Sequence, residues 1–149
     1  MADGLDLSEL DAFTDNLIRS SKNANKLQRK FLQKQGSKLA RKTKAKARAE
    51  VNMTAVKSKK YSRKAGQYHA SIKRGKVYEK DGALQIRTYS SDPIAHLIEN
   101  GYTPKFRDGS SGSHQSGKSI FDETRKSFDS EFRKSSEDMI DEMIKEICK

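Results

Sequence analysis

Three histidines, a glutamate close to one of them, a lone cysteine and one glycine-lysine-serine step are the residues of this 149-residue chain that could do chemistry. His96 and Glu99 stand three apart, which on a helix puts both on one face, and the later His114 could reach them. His69 stands elsewhere. Three candidate ligands with no ligand-spacing motif make a poor metal site. Cys148 has no base beside it to activate the thiol, and a single cysteine forms no internal disulfide. Ser116-Gly117-Lys118-Ser119 has the final letters of a phosphate-binding loop without the upstream glycine or the preceding strand, and reads as a loop running into a helix cap. No catalytic set, metal or cofactor is expected.

The other chemically loaded residues are cations. The chain carries a net charge of +11, and between residues 38 and 76 its lysines and arginines are opposed by Glu50 alone. Lys42, Lys44, Lys46, Arg48, Lys57, Lys59 and Lys60 are the candidates for a surface that meets DNA phosphates or an acidic partner. The bland alternative is a solvated helix face followed by a mobile loop. No zinc-finger spacing, aromatic ribonucleoprotein signature or basic region with a zipper accompanies the run, so contact with nucleic acid would be non-specific.

The elements that must position these residues form an α+β pattern in a chain of one-domain size. Residues 5–50 carry an apolar stripe of Leu10, Phe13, Leu17, Ala24, Leu27, Phe31 and Leu39, and Ser8 with Asp11 resembles a capping pair. Gly36 is the weak point: either one helix of roughly 65–70 Å runs through it, or two shorter helices hinge there. A basic loop is expected over 51–66 and strands over 67–90. Tyr68, Ala70 and Ile72 alternate, and a hairpin pairs 71–79 with 83–89 around the Asp81-Gly82 turn, with Leu84 and Ile86 facing the core. A short helix occupies 92–101, with Ser91 or Asp92 as cap, Pro93 at its first position and Gly101 as a left-handed stop. Glu99 is expected to find a cation or an amide. A Gly/Ser-rich loop covers 102–118, too polar to fold alone.

A second amphipathic helix follows over 119–148, with Ser119 and Asp122 as a capping pair. Phe121, Phe128, Phe132, Met139 and Met143 form its stripe, widened by Ile140 and Ile144, and are candidates for core or for a subunit interface. With 33% hydrophobic and 34% charged residues, the chain builds only a small core, so burial is expected from neighbouring subunits or a partner. No apolar run approaches membrane-spanning length and the first residues are acidic and polar, which points to the cytoplasm.

Taken in order, these stretches resemble the tail-completion, or head–tail joining, proteins of long-tailed phages. Ala65-Gly66-Gln67-Tyr68-His69-Ala70-Ser71-Ile72 is similar to that family's Thr-Gly-x-Leu-x-x-Ser-Ile/Trp segment. His96-Leu97-Ile98-Glu99-Asn100-Gly101-Tyr102 is similar to its His-Leu-Leu-Glu-x-Gly segment. The resemblance marks Gly66, Tyr68, Ser71, Ile72, His96, Leu97, Ile98, Glu99 and Gly101 as motif residues. It implies no enzyme activity, and a virion neck subunit assembled in the host cytoplasm as a homo-oligomeric ring, hexamer favoured. Such a ring would sit between head-closure or connector proteins and the tail terminator, with double-stranded DNA passing through. The alternative is a free, non-sequence-specific nucleic-acid-binding protein that uses the basic 38–76 window.

Overall fold

The computed structural model describes residues 8–52, 54–57 and 62–147, with side chains except at 8–13, 17, 146 and 147. Its longest element is α1 (Ser8–Glu50), 43 residues without a proline, about 65 Å long at 1.5 Å per residue. The helix runs through Gly36 without a break. A Cβ at that position would lie 2.6 Å from the Ile86 side chain and 3.2 Å from Arg74. Gly36 is therefore where the hairpin meets the helix closely, and that packing outweighs the poor helix propensity of glycine. The buried face continues through Ala40, Thr43 and Ala47 to Val51, spaced three and four apart. Leu27, Phe31 and Leu39 are half-buried beside it. Leu10, Phe13, Leu17 and the expected Ser8–Asp11 capping pair lie outside the described side chains.

After α1 the chain forms a small antiparallel pair, β1 (Val56–Lys57) with β2 (Ser62–Arg63). The expected start of a strand at 67 is instead a helical turn, α2 (Gln67–Ser71). Gly66 enters it with φ 69°, and the Ala70 amide donates to the Gly66 carbonyl at 3.0 Å. Tyr68 and Ser71 are both buried while Ala70 is exposed, so the local period is three and not two. The apolar alternation of Tyr68, Ala70 and Ile72 is therefore not matched by their burial.

The hairpin follows. β3 (Ile72–Arg74) pairs with β6 (Thr88–Ser90), and β4 (Tyr78–Lys80) pairs with β5 (Ala83–Gln85). Asp81 and Gly82 both have positive φ, 53° and 74°, as a two-residue hairpin turn requires. Between the two paired stretches, residues 75–77 face only 86–87, which is a bulge, and the Gly75 amide donates to the Arg87 carbonyl at 2.7 Å. The bend belongs to the stretch where Ile86 lies over Gly36.

The short helix is α3 (Ala95–Asn100); Pro93 and Ile94 form the turn ahead of it, and Asp92 Oδ1 accepts from the Ile94 amide at 3.1 Å. Gly101 ends it at φ 80°, ψ 175°, a combination nearly restricted to glycine. A Cβ there would lie 2.4 Å from the Gln115 carbonyl oxygen. The polar stretch after it is not shapeless. β7 (Gly101–Tyr102) pairs with β8 (Gln115–Ser116), a bridge joins Lys105 to Ser111, and the Ser110 amide and hydroxyl close the tip on Asp108 Oδ1. Those hydrogen bonds hold the Asp108 carboxyl below its ordinary range.

Last comes α4 (Ile120–Ile147), lying antiparallel along α1: Lys46 pairs with Glu123, Lys42 with Glu131, and the Phe31 and Phe132 rings sit 5.7 Å apart. The core joins Ala47, Val51, Tyr68, Ile72 and Ile120, with Ala95, Ile98 and Phe121 packed against it. Phe128 is buried and stacks toward Phe132 at 6.4 Å. The stripe is narrower than expected, for Ile140 and Ile144 are 49% and 53% exposed. The class is α+β: two long helices with small antiparallel pairs and short helical turns between them.

Candidate functional site

The two motif segments converge on the base of α4. Tyr68 and Ile72 belong to the core and Ile98 packs against it, while Ser71 Oγ donates to the Tyr68 carbonyl and shares a 2.6 Å hydrogen bond with Ser90 Oγ. Leu97 is half-buried and His96 is exposed. Glu99 reaches across to α4, where both carboxylate oxygens accept from the Phe121 amide and Oε1 also accepts from the Asp122 amide, each at 3.1 Å. Its main-chain carbonyl accepts from the Ser119 amide at 3.1 Å, and the Ile98 carbonyl from Lys118 at 2.7 Å. A carboxylate on the free amides of a helix start also meets the positive end of the helix dipole. The expected Ser119 cap is thus replaced: Ser119 sits at φ 44°, and a glutamate twenty residues earlier does the capping. Asp122 turns outward to Lys126 and Arg125, which hold its carboxyl below the ordinary range.

The same arrangement disposes of the other chemical candidates. The Ser116–Ser119 step leads to helix amides that Glu99 already occupies, so no phosphate need be invoked there. His114 Nδ1 is 3.1 Å from the Thr103 hydroxyl and does not join His96 and Glu99. Among the described residues no cluster of histidine, cysteine and carboxylate could hold a metal ion. Cys148 lies outside the described residues.

One cation of the basic window proves structural. Arg63 and Asp92 form a buried ion pair, Nη2 to Oδ2 at 2.5 Å, with side chains 3% and 0% exposed. Asp92 thereby turns the α3 entry and anchors β2 at once. The His69 ring Nε2 lies 2.9 Å from the Val51 carbonyl, tying α2 to the end of α1. These two contacts hold both ends of the basic loop. Charge alone gave no sign of them, although Asp92 stood out as a cap.

The helical cations divide into two rows. Lys38, Lys42 and Lys46, four apart, face α4: the first two both pair with Glu131, and Lys46 bridges Glu123 at 2.6 Å and Glu50 at 2.7 Å. Lys42 also stands 5.3 Å from the centre of the Phe128 ring. The two lysines keep the Glu131 carboxyl below its usual range, and Glu123 with Glu50 raises Lys46. Lys44 and Arg48 lie on the other flank with Arg41 and have no hydrogen-bond or ion-pair partner among the described residues. Lys57 is exposed on β1; Lys59 and Lys60 lie outside the described residues. Of the helix stripe, Phe128 is buried and Phe121, Phe132, Met139 and Met143 are half-buried. No helix among the described residues is long and apolar enough to cross a membrane.

Comparison with known proteins adds one finding. Residues 11–101 match the family model described as "Bacteriophage HK97-gp10, putative tail-component". That span covers nearly all of α1, the basic loop, the hairpin and α3, and ends on Gly101. No curated protein and no solved structure matches the chain. A match over more than half the chain, ending on the residue that closes the second motif, places the protein in the HK97-gp10-like family of bacteriophage tail components.

Proposed function

We propose that this chain is a structural subunit of the phage neck that joins the DNA-filled head connector to the tail. Several copies, six by preference, form a ring between head-closure or connector proteins and the tail terminator. The cations of the basic loop line or surround the DNA channel. The observation that carries this reading is the family match over residues 11–101. The distribution of charge supports it. DNA moving through a channel needs diffuse cations without base-reading geometry, and the exposed Lys57, with Lys59 and Lys60 next in the sequence, suits that. The paired Lys42 and Lys46 are assigned to holding α4, and the motif residues to building the subunit.

The test reverses the loop charges, Lys57→Glu, Lys59→Glu and Lys60→Glu, in the phage. Lys57 is exposed, and such a charge contributes little to stability, so folding should be unchanged. Heads should fill and tails should form, while joined particles fall sharply. The competing reading, a free nucleic-acid binder, predicts normal joining together with a steep salt-dependent DNA affinity of the wild-type subunit that the variant loses. Normal joining by phage that lack the protein from their particles would overturn the neck reading.

A further inference from the structure

The outer face of the C-terminal half of α4 is unfinished. Ile140 and Ile144, one turn apart, are about half exposed, and Glu137 and Asp141 flank them. Neither carboxylate has a partner among the described residues, although Lys134 and Lys145 are near in sequence. Two such faces brought together would oppose four carboxylates, with only the flanking Lys134 and Lys145 to offset them, whereas a basic face would offset them fully. Their complement is a basic helix face with a shallow apolar floor.

The chain carries that face on α1. Arg41, Lys44 and Arg48 have no partner among the described residues, and Ala45 and Ala49 are exposed between and beside them. The spacings agree. Ile140 and Ile144 are four apart, as are Ala45 and Ala49, Glu137 and Asp141, and Lys44 and Arg48. Ridges of residues four apart on one helix pack between those on another, and alanine lets the axes approach. Within one molecule α4 meets α1 through the Lys38, Lys42 and Lys46 row, so Arg41, Lys44 and Arg48 stay outside that contact.

We infer that the Glu137–Ile144 face of α4 docks on the Arg41–Ala49 face of α1 in a second copy of this chain. The contact is heterologous, so it propagates and closes into a ring when its rotation permits. The isoleucines supply apolar burial against the alanines, and the charges set direction and disfavour self-pairing. This inference rests on the proposed assembly of several copies and names the surface that produces it.

Sedimentation of the purified chain tests it, with circular dichroism as the control for folding. Wild-type protein should self-associate at low ionic strength and dissociate toward monomer as salt rises. Glu137→Lys with Asp141→Lys should be monomeric, as should Arg41→Glu, Lys44→Glu and Arg48→Glu together. Mixed one to one, the two variants should regain assemblies, because each meets in the other an oppositely charged face. A chain carrying both sets should regain them alone. Ile140→Ser with Ile144→Ser should weaken association without changing its salt dependence. A wild-type monomer at low salt, either reversal set associating like wild type, or a mixture that stays monomeric would each overturn the interface. The loop-reversed protein used to test the neck reading keeps both faces and should associate normally, so failure of one reading is distinguishable from failure of the other.

Discussion

Tyr68 shows how much a single motif residue is asked to do. Its ring is fully buried, its hydroxyl has no hydrogen-bond partner, and burial, reinforced by the charges of Glu99 and Asp92, pushes the phenol up to about 12. The ring is wanted and the hydroxyl is not. Below pH 10 the phenol is neutral in both the folded and the unfolded chain, and the core has its full stability. Above that the unfolded chain releases a proton that the folded one retains, so stability falls as pH rises through about 12. Tyr68→Phe should therefore keep or raise neutral-pH stability, by up to about 1 kcal/mol. Its alkaline unfolding midpoint should move upward relative to wild type. A pH series of urea melts checks both, and a large loss at neutral pH would mean that the hydroxyl has a partner.

At the scale of elements, α4 is held by two devices that differ in strength. Along its length Lys38 and Lys42 meet Glu131, and Lys46 meets Glu123, all at least partly in water, where such pairs contribute little each. At its start Glu99 takes two backbone amides that would otherwise be unpaired. Glu99→Ala should cost about 1–2 kcal/mol, the usual loss for a removed helix cap. Hydrogen exchange should then quicken first at Phe121 and Asp122. Unchanged exchange there would show that solvent or Ser119 can replace the carboxylate. The family match stops at Gly101 and so includes this cap but not the helix it serves.

For the whole molecule, the balance of a small core against a large charge sets the terms. Buried hydrophobics are few, and a buried Arg63–Asp92 pair closes the base of the basic loop in the place an apolar contact would occupy in a richer sequence. Removing one partner strands the other charge out of water. Arg63→Ala should lower stability by about 3–5 kcal/mol, whereas Lys57→Ala on the adjoining strand should be nearly silent. Thermal melts of the two variants decide the matter. Equal effects would mean that Arg63 belongs with the surface cations after all. The same shortage of core leaves Ile140 and Ile144 about half exposed.

Periodicity and end signals by themselves determined a helical N-terminal segment, the Asp81-Gly82 hairpin, the end of the short helix at Gly101 and the amphipathic C-terminal helix, because each is written in residues close together in the chain. The order of two short motifs was enough to indicate a phage tail component. Only the tertiary structure decided what those residues touch. Gly36 reads as a hinge locally and is a packing site because Ile86, fifty residues later, lies on it. Tyr68, Ala70 and Ile72 read as a strand because a five-residue helix is too short to display its period. Glu99 caps a helix that starts 21 residues on, and Arg63 leaves the basic surface for a buried carboxylate. Each of these depends on distant segments meeting, and a linear pattern carries no record of which segments meet.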